Sequence, residues 1–215
     1  FTLHDLNFIF SRENFLKNKA ERPSYYWAPL ISLYSGMRLE EICQLLCKDI
    51  YEVSGIWVFN VDESSEANEN MKTLKNKSPV SIIPVHDELI RLGLLEYRKE
   101  MLKRGESRLF PELKKTLASP KYGKLPGKYF NRLIQSLGIN GKKSFHSLRH
   151  TFSQFFKERN LHTDMFRQIF GHEIPELAGK QYGTTFTPKQ CYDGLISKLD
   201  YKLDKHRQRN YPAGA

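Results

Sequence analysis

His146, Arg149 and His150 stand at i, i+3 and i+4 within Ser144–Phe152, which reads Ser-Phe-His-Ser-Leu-Arg-His-Thr-Phe. On a helix these three side chains share one face. Two imidazoles and a guanidinium supply many hydrogen-bond donors, among them a planar fork that suits a carboxylate or a phosphate. Phe145, Leu148, Phe152, Phe155 and Phe156 supply the apolar positions that seat such a helix in a core. The expectation is a helix anchored on one side, with a cationic, anion-facing row on the other.

Four more polar residues have chemical potential but lie far apart: Arg38 just after Gly36, Lys75 at a hairpin tip, His172 after Gly171, and Tyr182. Each has an ordinary explanation. An arginine after glycine can cap the preceding helix, and a lysine at a hairpin tip is usually solvated. A histidine beside glycine is often a satisfied loop residue, and a tyrosine is by default half-buried with a wet hydroxyl. His146 and His150 have the spacing of two zinc ligands, with His172 as a third. Arg149 between them opposes a divalent cation, so no metal is expected. A serine hydrolase is disfavoured because no Gly-x-Ser-x-Gly elbow is present.

The 215 residues fit one large domain or two small ones, and 40% hydrophobic residues with 14 Phe and 11 Tyr suffice for a core. A net charge of +10 favours a polyanionic partner, nucleic acid before an anionic membrane surface. Cys43, Cys47 and Cys191 form an odd, sparse set, as in a reducing compartment, and Cys43 and Cys47 are expected to be buried on a helix. No apolar run approaches the roughly 20 residues that cross a bilayer, and no signal-peptide pattern is present. The chain opens at Phe1 rather than Met, which suggests a piece of a longer protein.

The elements that must position these groups read as mostly helical. Thr2–Phe10 is a short helix capped by Thr2. Pro23 and Ser24 open an apolar helix over Tyr25–Tyr34, which Gly36 stops, and Leu39–Leu46 is a second helical run. Ile50–Val53 and Ile56–Val61 form a hairpin across Ser54-Gly55. Asp62–Asn70 is a surface loop, and Met71–Lys75 with Pro79–Val85 forms a second hairpin. Asp87–Leu95 and Leu95–Lys103 are amphipathic helices. Arg108–Pro111 is extended, and the basic Lys114–Lys128 is a mobile loop. Helices follow at Lys128–Leu137, at Phe145–Arg159, and from Thr163 or Asp164 to Phe170. Glu176–Tyr182 is a further helical turn, Pro188–Leu199 a terminal amphipathic helix, and Lys202–Ala215 a loose tail.

Taken together, five segments resemble the tyrosine recombinase (phage integrase) family. They are Ser35-Gly36-Met37-Arg38-Leu39-Glu40-Glu41-Ile42; Lys75-Asn76-Lys77-Ser78 leading to Ile83-Pro84-Val85; His146-Ser147-Leu148-Arg149-His150-Thr151-Phe152; Phe170-Gly171-His172; and Tyr182. They occur in the family's order. The opening Phe1–Leu6 also looks like the usual start of the family's catalytic domain. The resemblance implies a mainly α (α+β) fold, a helical catalytic domain of the DNA breaking-rejoining type with a small antiparallel β-sheet. That domain would span residues 1–199, followed by a tail at 200–215, with the N-terminal core-binding domain absent.

The resemblance also implies site-specific DNA recombination without metal or other cofactor. Tyr182 would attack a phosphate to give a 3′-phosphotyrosyl link and a free 5′-hydroxyl. Arg38 and Arg149 would clamp the scissile phosphate, Lys75 would protonate the leaving oxygen, and His146 and His172 would donate hydrogen bonds. His150 would support the helix by bonding to backbone. His172 and Tyr182 are ten residues apart, with Pro175 between them. This gap is slightly longer than usual and leaves Tyr192 as a second candidate nucleophile. Lys72 and Lys77 flank Lys75. Lys121, Lys124, Lys128, Lys142 and Lys143 would meet the DNA backbone. The implied partners are a double-stranded DNA attachment site and a homo-tetramer on that DNA through the C-terminal helix, with no membrane. The implied setting is cytoplasmic and nucleoid-associated, in a bacterium or phage. Two alternatives share some of these features: a topoisomerase using the same link, and a non-catalytic DNA-binding module.

Overall fold

A central helix buried on every side organises the structure. The computed structural model describes residues 1–15, 22–61, 81–115, 120–161, 163–171 and 186–203. Two short helices come first, α1 (Leu3–Ile9) and α2 (Arg12–Phe15). Thr2 and Asp5 close a capping box on α1, each side chain accepting the other's amide at 3.1 and 2.8 Å. The central helix is α3 (Pro23–Ser35), in which every residue from Tyr26 to Ser35 is buried. Its apolar residues face neighbours all round, and it packs against α4 (Leu39–Gln44), α5 (Asp87–Arg91), α7 (Lys124–Ser136) and α8 (His146–Glu158).

A three-stranded antiparallel sheet stands beside this helical layer in the order β1 (Ile50–Val53), β2 (Ile56–Val61), β3 (Ser81–Pro84). Ser54 and Gly55 turn the first hairpin with φ of 50° and 80°. Both positive angles belong to the tight turn whose twist matches the strands. Phe59 on the central strand sits between Ile50 and Ile83. The remaining helices are α6 (Leu94–Lys103), α9 (Asp164–Phe170) and α10 (Pro188–Gly194), with α9 and α10 packed on β3. This is the mainly helical architecture with a small antiparallel sheet that the sequence implied. No helix of the described residues is long and apolar enough to cross a membrane.

Several boundaries differ from the sequence reading. Helix α4 stops at Gln44, not Leu46, because the chain then pairs with the segment around Arg108: Leu109 donates to the Leu45 carbonyl at 2.9 Å and Cys47 to that of Ser107 at 2.8 Å. Helix α7 begins at Lys124 rather than at Lys128 and takes in the end of the expected mobile loop, because Pro126 falls in the first turn, where a missing N–H costs nothing. The segment Ser81–Pro84 pairs with β2, whereas its expected partner Met71–Lys75 lies outside the described residues. The terminal helix ends at Gly194, and a 3-10 turn over Ile196–Lys198 replaces its second half. Cys191, Leu195, Ile196 and Leu199 are nevertheless all buried. The Glu176–Tyr182 turn and most of the Lys202–Ala215 tail lie outside the described residues.

His86 ties the end of the described chain to this core. Its Nδ1 accepts the Glu88 amide at 3.0 Å as the cap of α5, and its Nε2 lies 2.7 Å from the Leu199 carbonyl. An accepting Nδ1 puts the proton on Nε2, so the ring is neutral and donates to Leu199. Burial lowers its pKa below the ordinary 6.5, opposed by the Leu199 carbonyl and by Asp87, Glu88 and Asp200. The unfolded chain therefore binds a proton that the folded chain refuses. The stability contributed by neutral His86 is complete above pH 6.5 and is lost as pH falls below it. Urea unfolding above and below that pH should show this decline, and His86→Gln should flatten it.

Candidate active site

The turn between α3 and α4 holds the first site residue. Gly36 takes a left-handed conformation at φ 71°. A Cβ there would lie 2.6 Å from the Phe152 ring of α8. Both facts require glycine. Two buried serines pin the turn: Ser32 Oγ donates to the Met37 carbonyl at 3.0 Å, and Ser35 Oγ accepts the Met37 amide at 3.2 Å. Arg38 follows as the cap of α4. It does not cap the preceding helix. Its amide and its guanidinium both bond Glu41, at 2.7 and 2.6 Å. Its side chain is 52% exposed.

Arg149 does not stand in an exposed cationic row. It is 6% exposed. Its guanidinium lies over the Phe170 ring, 3.6 Å from the centroid. One terminal nitrogen donates to the Gly36 carbonyl, and the other donates to the Phe170 carbonyl at 2.7 Å. The two carbonyls explain the inward turn. They satisfy the fork where the aromatic wall of Phe152, Phe166 and Phe170 excludes water. Burial, then the charge of Arg38, pushes the Arg149 pKa down to about 10, with Glu41 opposing. The group remains a cation at neutral pH.

His146 and His150 are exposed, with rings edge to face at 4.6 Å. Desolvation lowers the His146 pKa below 6.5, and His150, Arg149 and Arg38 lower it further. His146 is therefore neutral at pH 7 and can donate or accept one hydrogen bond. Among the described residues the His150 side chain makes no hydrogen bond to backbone; its ring meets that of His146 edge to face. Arg38, His146 and Arg149 thus come together, each feeling the charge of its neighbours.

Lys75, His172 and Tyr182, with Lys72 and Lys77, lie outside the described residues. The anchors on either side of His172 and Tyr182 are described. The Phe170 carbonyl is held by Arg149. The Phe186 amide and carbonyl are both bonded to the Gln168 side chain at 2.9 Å. Tyr192 stands on α10, where burial and a hydrogen bond to Asp87 push its pKa up to about 12. Such a phenol is a poorer nucleophile than an ordinary one. Lys121, Lys124, Lys128 and Lys142 are exposed. Lys143 is not: its ammonium is bonded to Asp5 at 2.8 Å. Among the described residues no group of three or more metal-ligating side chains is present.

The sequence reading missed Glu41, Ser32 and Ser35. Glu41 carried a signal, since an acidic residue three positions after a helix cap is the capping-box spacing. The serines carried none, because a buried serine and an exposed one look alike in sequence.

The sequence model of the phage integrase family matches residues 13–186. The chain belongs to the phage integrase family. Its fold is also that of solved tyrosine recombinases. A XerH site-specific recombinase bound to difH substrate in a pre-cleavage complex matches with a TM-score of 0.53 and 17% identity, over 90% of this chain and 52% of that one. XerA recombinase matches at 0.50 and 18%, over 88% and 58%. A lambda integrase dimer bound to a COC′ core site matches at 0.50 and 16%, over 86% and 62%. The family member described here therefore spans between 52% and 62% of the length of these solved chains. No curated protein matches it.

Three outcomes follow from this geometry. Arg149→Lys cannot satisfy both carbonyls and stack flat on Phe170, so it should cost about 1–3 kcal/mol in urea unfolding. His150→Ala on the exposed face should cost no more than about 0.5 kcal/mol. Arg38→Ala removes one of the cations near His146, so the His146 ring should titrate closer to 6.5 by NMR. The recovery should be partial, because burial is the larger cause.

Proposed function

We propose that the chain is the catalytic domain of a site-specific DNA recombinase that cleaves and rejoins DNA through a 3′-phosphotyrosyl link. The observation that carries this reading is the Arg149 tie. One buried guanidinium bonds the carbonyl two residues before Arg38 and the carbonyl two residues before His172. It thus gathers the family's arginine and histidine segments around one cationic point.

In this reading Arg38 and Arg149 bind the non-bridging oxygens of the scissile phosphate. Charge grows on those oxygens as phosphorus becomes five-coordinate, and fixed guanidiniums stabilise it best. The Tyr182 oxygen bonds to phosphorus as the bond from phosphorus to the 5′-oxygen breaks. Its phenolic proton is lost with help from His146 and His172, and the same cations favour the phenolate. Lys75 gives a proton to the leaving 5′-oxygen. The ester is conserved in the protein link, so the reverse attack by a 5′-hydroxyl rejoins the strand without ATP.

Lys121, Lys124, Lys128 and Lys142 would track the backbone of a double-stranded attachment site. Lys143 would have to leave Asp5 to join them. The catalytic domain would span residues 1–199. A homo-tetramer on DNA belongs to the same reading. Its C-terminal helix would offer exposed residues such as Lys189 and Gln190, because its apolar side is buried at home.

A nicked suicide duplex carrying the element's own attachment site tests this directly. Wild-type protein should give a covalent protein–DNA adduct on a denaturing gel with EDTA present. Tyr182→Phe should abolish the adduct, and Tyr192→Phe should retain it. An adduct that survives in Tyr182→Phe would overturn the assignment of the nucleophile.

A further inference from the structure

Glu40 lies beside the site but does not touch Arg38 or Arg149. Its carboxylate accepts two backbone amides from a distant part of the chain, Tyr122 and Gly123, each at 2.8 Å. These amides immediately precede α7. The neighbouring contacts are equally close. A Cβ on Gly123 would lie 2.9 Å from Leu39 and 3.0 Å from Glu40, and one on Gly127 would lie 2.8 Å from Leu39. The first turn of α4, which begins at Arg38, is therefore seated directly on the backbone at the start of α7. A second strut completes the joint. The Arg108 guanidinium lies 3.9 Å from the centroid of the Tyr122 ring and donates to the Cys43 carbonyl of α4 at 3.0 Å.

This joint connects two cationic features. On one side is Arg38, at the cap of α4. On the other are Lys121, Lys124 and Lys128, exposed at and just before the first turns of α7. A carboxylate accepting two amides is a directional, charge-assisted clasp. It can hold a distance in a way that an apolar contact with the same area cannot.

We propose that Glu40 is a positioning residue that fixes the spacing between the Arg38 phosphate clamp and the lysines of α7. A duplex held by those lysines then presents a neighbouring phosphate to Arg38. The proposal rests on the reading of the chain as a DNA-acting enzyme. It adds a requirement that this reading does not contain: the lysines and Arg38 act as one rigid ruler. Glu40 itself contacts neither DNA nor the reacting atoms.

The test is a double-mutant cycle on DNA binding, which needs no cleavage. Arg38→Ala and the pair Lys124→Ala/Lys128→Ala are measured singly and together against a short duplex of arbitrary sequence at fixed salt. If the ruler holds, losing one anchor weakens what the other contributes. The combined loss in affinity should then differ from the product of the single losses by roughly fivefold or more. The cycle is repeated in Glu40→Gln, which keeps the shape and one acceptor oxygen but removes the charge. It is also repeated in Gly127→Ala, which pushes α7 off Leu39 without touching Glu40. In both backgrounds the losses should become multiplicative, while the lysines' own contribution to affinity persists. A purely structural role would lower the thermal midpoint and leave the coupling intact.

Multiplicative losses in the unaltered protein would overturn the proposal. So would coupling that survives in Glu40→Gln and Gly127→Ala. Adduct formation alongside such a result would leave the recombinase reading standing and remove this one alone. A protein that bound no duplex would overturn both.

Discussion

The site depends on a buried cation held by neutral acceptors. Arg149 is deep in an aromatic wall, yet its guanidinium is bonded to two carbonyl oxygens and to the face of Phe170. A carboxylate in that place would hold the group as firmly but cancel its charge. Carbonyls and a π-face orient it and leave the charge in place. The cost is visible in the downward shift of its pKa, which burial causes first and Arg38 second. Among the described residues, two of the five donors of Arg149 are spent on these carbonyls.

The surroundings follow from that one tie. For the Gly36 carbonyl to reach Arg149, the end of α3 must turn sharply against Phe152, and only a residue without Cβ permits this. The turn then places Arg38 at the start of α4, where Glu41 holds its backbone and its guanidinium together. The Phe170 carbonyl closes the other side at the end of α9, where Gly171 again takes a left-handed conformation. Three elements remote in sequence are brought to one point by a single side chain. Burial first, and then the cations crowded there, depress the His146 pKa along with that of Arg149. A site that raises the energy of its own cations in this way is suited to an anion, which would relieve them.

Much of the local structure was readable from residue type. Thr2 with Asp5 gave the first cap, Pro23 and Gly36 bounded the central helix, and Ser54-Gly55 turned the first hairpin. Each acts through its own backbone preference or within one turn of chain. The errors came where distant segments compete. Leu45 to Cys47 left the helix pattern to pair with residues 107–109. Lys124 joined the helix expected from Lys128 onward, and the start of that helix is held by Glu40, far away in sequence. The terminal helix was cut short at Leu195 while its apolar residues still reached the core.

The sequence by itself determined which groups are present and in what order: Arg38 after a glycine, the His146–Arg149–His150 spacing, and the segments by which the chain belongs to the phage integrase family. Those are properties of residue type and short-range spacing, which survive in a string of letters. Only the tertiary structure decided which way the groups face. Helical spacing puts Arg149 between two histidines but cannot say that it turns inward. That choice depends on two carbonyls and an aromatic ring from other helices, available only once α3, α8 and α9 have packed. The same holds for Glu40, one acidic residue among many in the sequence. It becomes a joint because its two amide partners, some 80 residues away, arrive at hydrogen-bonding distance.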